Sequence, residues 1–91
     1  MLTRGMVQGF EFNRMVVLFT MNDSETSVPC AISTEAMDRL EPACKVASSR
    51  REEQFLRLRE RIEAKAVQKF LSKEMEGQPP GLVLRGNDFK G

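Results

Sequence analysis

The stretch from Ser49 to Lys73, SRREEQFLRLRERIEAKAVQKFLSK, decides how this chain folds. Neither Gly nor Pro interrupts it, and strong helix formers fill it. Ser49 and Glu52 have the spacing of a capping box, so a helix is predicted to start at Ser49. At about 100° per residue, Phe55, Leu58, Ile62, Ala66 and Phe70 fall on one stripe. Leu56, Val67 and Leu71 are expected to widen that stripe on one side. Arg50, Arg57, Arg61 and Lys65 gather on the opposite face, with Gln54 and Gln68 among them. The segment is therefore both the main core element and the one nameable candidate binding face.

Around this helix the chain divides by local pattern. Phe10 and Phe12 alternate with polar neighbours, and Met15-Val-Val-Leu-Phe19 is a run of strand formers. Asn22-Asp-Ser-Glu25 is a turn cluster, and Val28, Cys30 and Ile32 alternate with smaller or polar residues. Residues 10–33 thus read as a β-hairpin. Pro29 donates no ladder hydrogen bond, so its strand is placed at an edge or with the nitrogen outward. Ser33 or Thr34 caps a short helical segment over 34–47, bearing Ala36, Met37 and Leu40 on one face. The long helix covers 49–74. Gly77-Gln-Pro-Pro-Gly81 breaks the chain, and Leu82-Val-Leu84 supplies a closing strand within 81–85. Residues 1–8 read as an extension outside the fold, with Met6 a candidate natural start.

The expectation is one α+β domain over residues 1–91, ordered β-β-α-α-β. A small, mainly antiparallel sheet carries a short and a long helix on one face. The expected core is Phe12, Val17, Phe19, Cys30, Ile32, Met37, Leu40, Phe55, Leu58, Ile62, Ala66, Phe70, Leu82 and Leu84. A sheet covered on one face leaves the other open, and its strand edges offer pairing to another chain.

The chain has 91 residues, net charge +1 and 41% hydrophobic residues. That charge gives no bulk attraction to nucleic acid or to an anionic membrane. By segment, residues 49–73 hold eight basic and four acidic side chains, so positive charge is concentrated on the helix. No apolar run approaches the roughly 20 residues of a membrane span. The start lacks the apolar centre of a signal peptide, so a reducing cytoplasm is the expected compartment.

Chemistry-bearing motifs are scarce. The chain contains no histidine, which removes Ser-His and Cys-His pairs and the commonest transition-metal ligand. Cys30 and Cys44 stand fourteen apart with no companion ligands, and no phosphate-binding glycine loop is present. Cys30 is expected to be buried and inert, and Cys44 to be partly exposed near helix termini. Catalytic residues, cofactor and metal are all expected to be absent. The pairs Glu52/Glu53 and Glu60/Glu63 read as helix-surface ion pairs. Two functions remain. One is a non-enzymatic interaction or accessory module, its partner an unknown protein or a second copy as a homodimer. The alternative is a nucleic-acid-associated regulator using Arg50, Arg57, Arg61 and Lys65 on phosphates, although no Tyr or Trp is available for stacking.

Val28-Pro-Cys-Ala-Ile-Ser-Thr-Glu-Ala-Met37, followed by Arg59-Glu-Arg-Ile-Glu-Ala-Lys-Ala66, resembles a family of short bacterial proteins known as domain of unknown function family 1488. The resemblance lies in the strand-to-helix seam, the central helix and a short closing strand over Leu82–Asp88, and covers about residues 10–89. Met37 stands where a leucine is usual, and aromatic residues are few near the start. The resemblance implies a bacterial source and an α+β fold. It implies no activity, cofactor or functional residue.

Overall fold

Val16–Asp23 and Thr26–Ser33 pair antiparallel along their whole length through a two-residue turn, Ser24-Glu25. Ser24 has φ 56°, the left-handed backbone that tight two-residue hairpin turns use. The computed structural model describes residues 2–42, 45–77 and 80–89. These hold β1 (Leu2–Glu11), β2 (Val16–Asp23), β3 (Thr26–Ser33), α1 (Thr34–Leu40), α2 (Arg51–Leu71) and β4 (Leu82–Leu84). A 3₁₀ turn at Ser48–Arg50 leads into α2 and another, Gly86–Phe89, follows β4. The sheet order is β1-β2-β3-β4, antiparallel except for β4, which runs parallel to β3. The fold is α+β. No helix among the described residues is long and apolar enough to cross a membrane.

The strand count corrects the sequence reading. Residues 1–8 were expected as an extension and 10–33 as one hairpin; instead Leu2–Glu11 is a full edge strand and the sheet opens with a three-strand meander. Its period-2 signal is hidden because the register shifts between Arg4 and Val7 and again between Val7 and Gly9. Gly9 has φ 123°, a conformation side chains resist, and a Cβ on Gly5 would run into the Thr20 carbonyl. Leu2 is buried in the core, and β1 is held rather than loose. Phe12, expected in the core, is 68% exposed. A turn over Phe12–Met15 interrupts the alternation there, closed by Met15 N–H donating to the Phe12 carbonyl.

One core cluster joins Val17, Phe19 and Met21 of β2, Val28, Cys30 and Ile32 of β3, and Leu82 and Leu84 of β4 to both helices. α1 contributes Ala36 and Met37; α2 contributes Phe55, Leu58, Ile62 and Ala66. Both helices therefore cover the same face of the sheet. The Phe19 and Phe55 rings meet at 4.9 Å between centroids, a contact worth about 1 kcal/mol beyond burial. Leu40 and Phe70 lie at the margin of the core, half-buried. Pro29 sits opposite Thr20 on β2, and β4 pairs with β3 only from Cys30 onward. The missing donor of Pro29 thus falls just before the parallel ladder begins.

Ser33 caps α1 by accepting from Ala36 N–H, as expected. The short helix stops at Leu40; the remainder of the expected segment includes residues 43 and 44, which lie outside the described residues, as does Cys44. The predicted capping box is not formed. α2 begins at Arg51 with no side-chain cap, because Ser48–Arg50 tightens into the 3₁₀ turn. Its first turn is anchored instead by the Arg51 side chain, with Glu52 and Glu53 favourably placed against the helix dipole. At the far end Lys73 adopts φ 59°; its N–H reaches the Phe70 carbonyl and Glu74 N–H reaches Lys69. That is a Schellman motif with lysine where glycine is usual.

Candidate functional site

Of the three residues expected to widen the apolar stripe of α2, only Val67 packs against the core. Leu56 and Leu71 are 54% and 72% exposed, while Arg51, Gln54, Glu63 and Lys69 are buried. Each of these polar groups bonds to a residue of another element. Arg51 donates to both Asp38 oxygens, at 2.6 and 3.2 Å, and to Gln54 at 2.7 Å; Gln54 donates to Asp38 at 3.2 Å. The Arg51 hydrogen bonds hold the Asp38 carboxyl below the usual range. Glu63 accepts from Arg4 of β1 at 2.9 Å and from Arg59 at 3.0 Å, and Arg59 also donates to the Gly5 carbonyl at 3.0 Å. Lys69 donates to the Val83 carbonyl of β4 at 2.9 Å and to Asp88 at 3.1 Å. These buried groups are committed to joining elements together.

The expected basic face is largely spent. Arg50 pairs with Glu53 at 3.1 Å. Arg57 grips Glu41 with two hydrogen bonds of 3.1 and 3.0 Å, which hold that carboxyl below its usual range. Lys65 donates to Gln68 at 2.7 Å and its ammonium stands 6.0 Å from the Phe89 ring centre. Arg61 and Lys65 border a shallow groove of about 580 Å³ that also includes Leu40, Val67, Leu71 and Phe89. The four basic residues thus share a side of α2, but two of them are neutralised by glutamates.

Cys30 is buried, its thiol pushed up to about 12 by desolvation, and it donates weakly to the Val28 carbonyl at 3.5 Å. It is a core residue. Among the described residues, no group of three or more Cys, Asp or Glu side chains is placed to hold a metal ion.

The larger depression lies on the other side of the sheet. It measures about 820 Å³ and its floor includes Val16 and Leu18 of β2, Ala31 of β3 and Val83 of β4. Val16 and Ala31 are buried yet belong to no part of the helix-covered core. Charged residues of both signs, Arg14, Glu35, Glu76 and Arg85, line the same depression. Arg85 and Glu76 form a two-pronged pair at 2.8 Å, and Arg14 pairs with Glu11. This face was not singled out from the sequence by residue. The signal was present: Val16-Val-Leu-Phe19, Cys30-Ala-Ile32 and Leu82-Val-Leu84 are continuously apolar, the pattern of strands covered on both faces.

The model of the family described as protein of unknown function (DUF1488) matches residues 6–80, and the chain belongs to that family. Its fold is similar to the crystal structure of a protein of unknown function from the same family in Shewanella loihica PV-4. The two chains are 19% identical, with a TM-score of 0.71, over 93% of this chain and 97% of the other. No curated protein matches the chain.

Proposed function

We propose that this member of the DUF1488 family is a non-enzymatic interaction module that meets a protein partner through the outer face of its sheet. The observation that carries the reading is the row Leu18, Ala31 and Val83, with Val16 beside it. These residues are apolar, adjacent in register and turned away from both helices. An apolar centre rimmed by mixed charge is the composition of a recognition surface. The buried ionisable groups support a structural rather than chemical role, since Arg51, Glu63 and Lys69 are each engaged in bonds between elements.

Capture from a lysate by the wild-type chain and by Leu18→Asp tests the reading. Leu18 is half-buried and outside the core cluster, so the substitution leaves the core intact. Proteins held by the wild type and lost with Leu18→Asp are expected; identical capture by both refutes it. The nucleic-acid alternative rests on Arg61 and Lys65, since Arg50 and Arg57 already hold carboxylates. A low-salt mobility-shift assay separates it: binding that survives Arg57→Ala, Arg61→Ala and Lys65→Ala together sinks that alternative, as does no binding at all.

A further inference from the structure

The outer face is built to match itself. Leu18, Ala31 and Val83 are register partners in a single row across β2, β3 and β4. Ala31 is only 5% exposed although it lies outside the helix-covered core cluster. It is a methyl floor between two taller side chains, Leu18 on one flank and Val83 on the other. A knob and a trough therefore stand side by side on one surface. A two-fold axis passing between Leu18 and Ala31 seats each Leu18 in the trough of the other copy. Adjacent knob and trough are what an isologous contact needs, because the same patch must serve both sides.

The rim supports the same occupant. Arg14 and Arg85 are matched in number by Glu35 and Glu76 around the depression. Such a rim offers no net pull to a strongly charged partner, and a second copy presents both signs in return. The strand edges are less suited to pairing. β1 is bulged twice and carries Arg4, and β4 is three residues long. Strands of ten, eight, eight and three residues, at about 3.3 Å per residue and about 4.8 Å apart, give roughly 460 Å² a side. The resulting total of about 900 Å² is in the range of weak, transient contacts and fits a reversible dimer.

We propose that two copies of this chain pair face to face through the outer sheet surface, with Leu18 of each over Ala31 of the other. The proposal rests on the reading of this face as an interaction surface and names its occupant. Sedimentation equilibrium from about 1 μM to about 1 mM is the test, a range that spans reversible dimers. The mass is expected to rise from 10.3 kDa towards twice that value. Leu18→Ala removes two knobs per dimer and raises the dissociation constant roughly a hundredfold. Ala31→Leu fills the trough and has the same effect. The double variant Leu18→Ala/Ala31→Leu reverses knob and trough and brings affinity back to within roughly tenfold of the wild type. Circular dichroism confirms that each variant keeps its fold, and Leu56→Ala on the opposite side of the molecule leaves the dimer unchanged. A mass fixed at 10.3 kDa throughout overturns the proposal. A dimer indifferent to both single substitutions overturns it as well. If the chain is a strict monomer while Leu18→Asp still loses a captured protein, the second copy falls and the interaction reading stands with a different occupant.

Discussion

Lys69→Met is expected to destabilise the fold by about 2 kcal/mol, although methionine fills nearly the same space. The Lys69 side chain is 9% exposed, and its ammonium bridges the Val83 carbonyl at 2.9 Å and Asp88 at 3.1 Å. Each charge-assisted hydrogen bond is worth roughly 1.5–3 kcal/mol net. Methionine recovers part of that sum, because a buried ammonium carries a desolvation cost of several kcal/mol. Asp88 is 21% exposed and keeps the Arg85 N–H at 2.7 Å, so water and one donor soften its loss. The Val83 carbonyl, in contrast, loses the cation that faces it. About 2.1 cal/mol/K of unfolding entropy per residue, over a chain of this length, converts about 2 kcal/mol into a fall of roughly 10 °C in Tm. Urea and thermal melts followed by far-UV circular dichroism read both quantities. A cycle with Asp88→Asn isolates the pair, with a coupling of about 1 kcal/mol expected. A loss below about 0.5 kcal/mol, within the range of ordinary surface changes, refutes the assignment of Lys69 as the bond between α2 and β4, as does full additivity with Asp88→Asn.

Acid stability depends on Asp38 and Glu41, whose folded-state pKa values lie below their ordinary 3.8 and 4.5 through Arg51 and Arg57. The stabilisation they give is complete above those ordinary values and is lost as pH falls through the depressed ones, so Asp38→Asn flattens the acid limb of a stability–pH curve. An unchanged limb counts against the Arg51–Asp38 anchor. Lys73→Gly relieves a left-handed lysine at the Schellman position and is expected to stabilise by about 0.5–1 kcal/mol in urea melts, with destabilisation contradicting the motif. In a Cys44→Ser background, Cys30 is expected to react with a disulfide reagent at pH 8 only as fast as the chain unfolds, because its thiol is buried and pushed up to about 12. Rapid labelling of native protein would place Cys30 outside the core.

The apolar half of the fold was legible because periodicity reports directly on it. Phe55, Leu58, Ile62 and Ala66 share a stripe by angle alone, and all four are buried. Ser33 announced the start of α1 because a cap is a local event, and it bonds Ala36 as its spacing requires. What stayed hidden depends on partners distant in sequence. Arg51, Gln54, Glu63 and Lys69 look like solvated helix positions until Asp38, Arg4 and Val83 are brought beside them, across separations of 13 to 59 residues. β1 was concealed by its bulges, which break the alternation that marks a strand. The outer face was visible only as a surplus: three strands carry more consecutive apolar residues than one layer of helices explains.

That surplus ties the buried polar groups to the proposed surface. α2 holds the sheet from one side through a few directional bonds, to β1 through Arg4 and the Gly5 carbonyl and to β4 through the Val83 carbonyl. Apolar packing is tolerant of small sliding, whereas hydrogen bonds fix register. The Val83 backbone is therefore set by Lys69 on the covered face while its side chain forms one ridge of the trough on the open face. Loosening that bond frees β4 to shift against β3 by a fraction of a residue, which widens or closes the trough over Ala31. Lys69→Met is then expected to weaken self-association even at temperatures where the chain stays folded. An interface whose affinity ignores Lys69 would show that the trough is shaped by β2 and β3 alone.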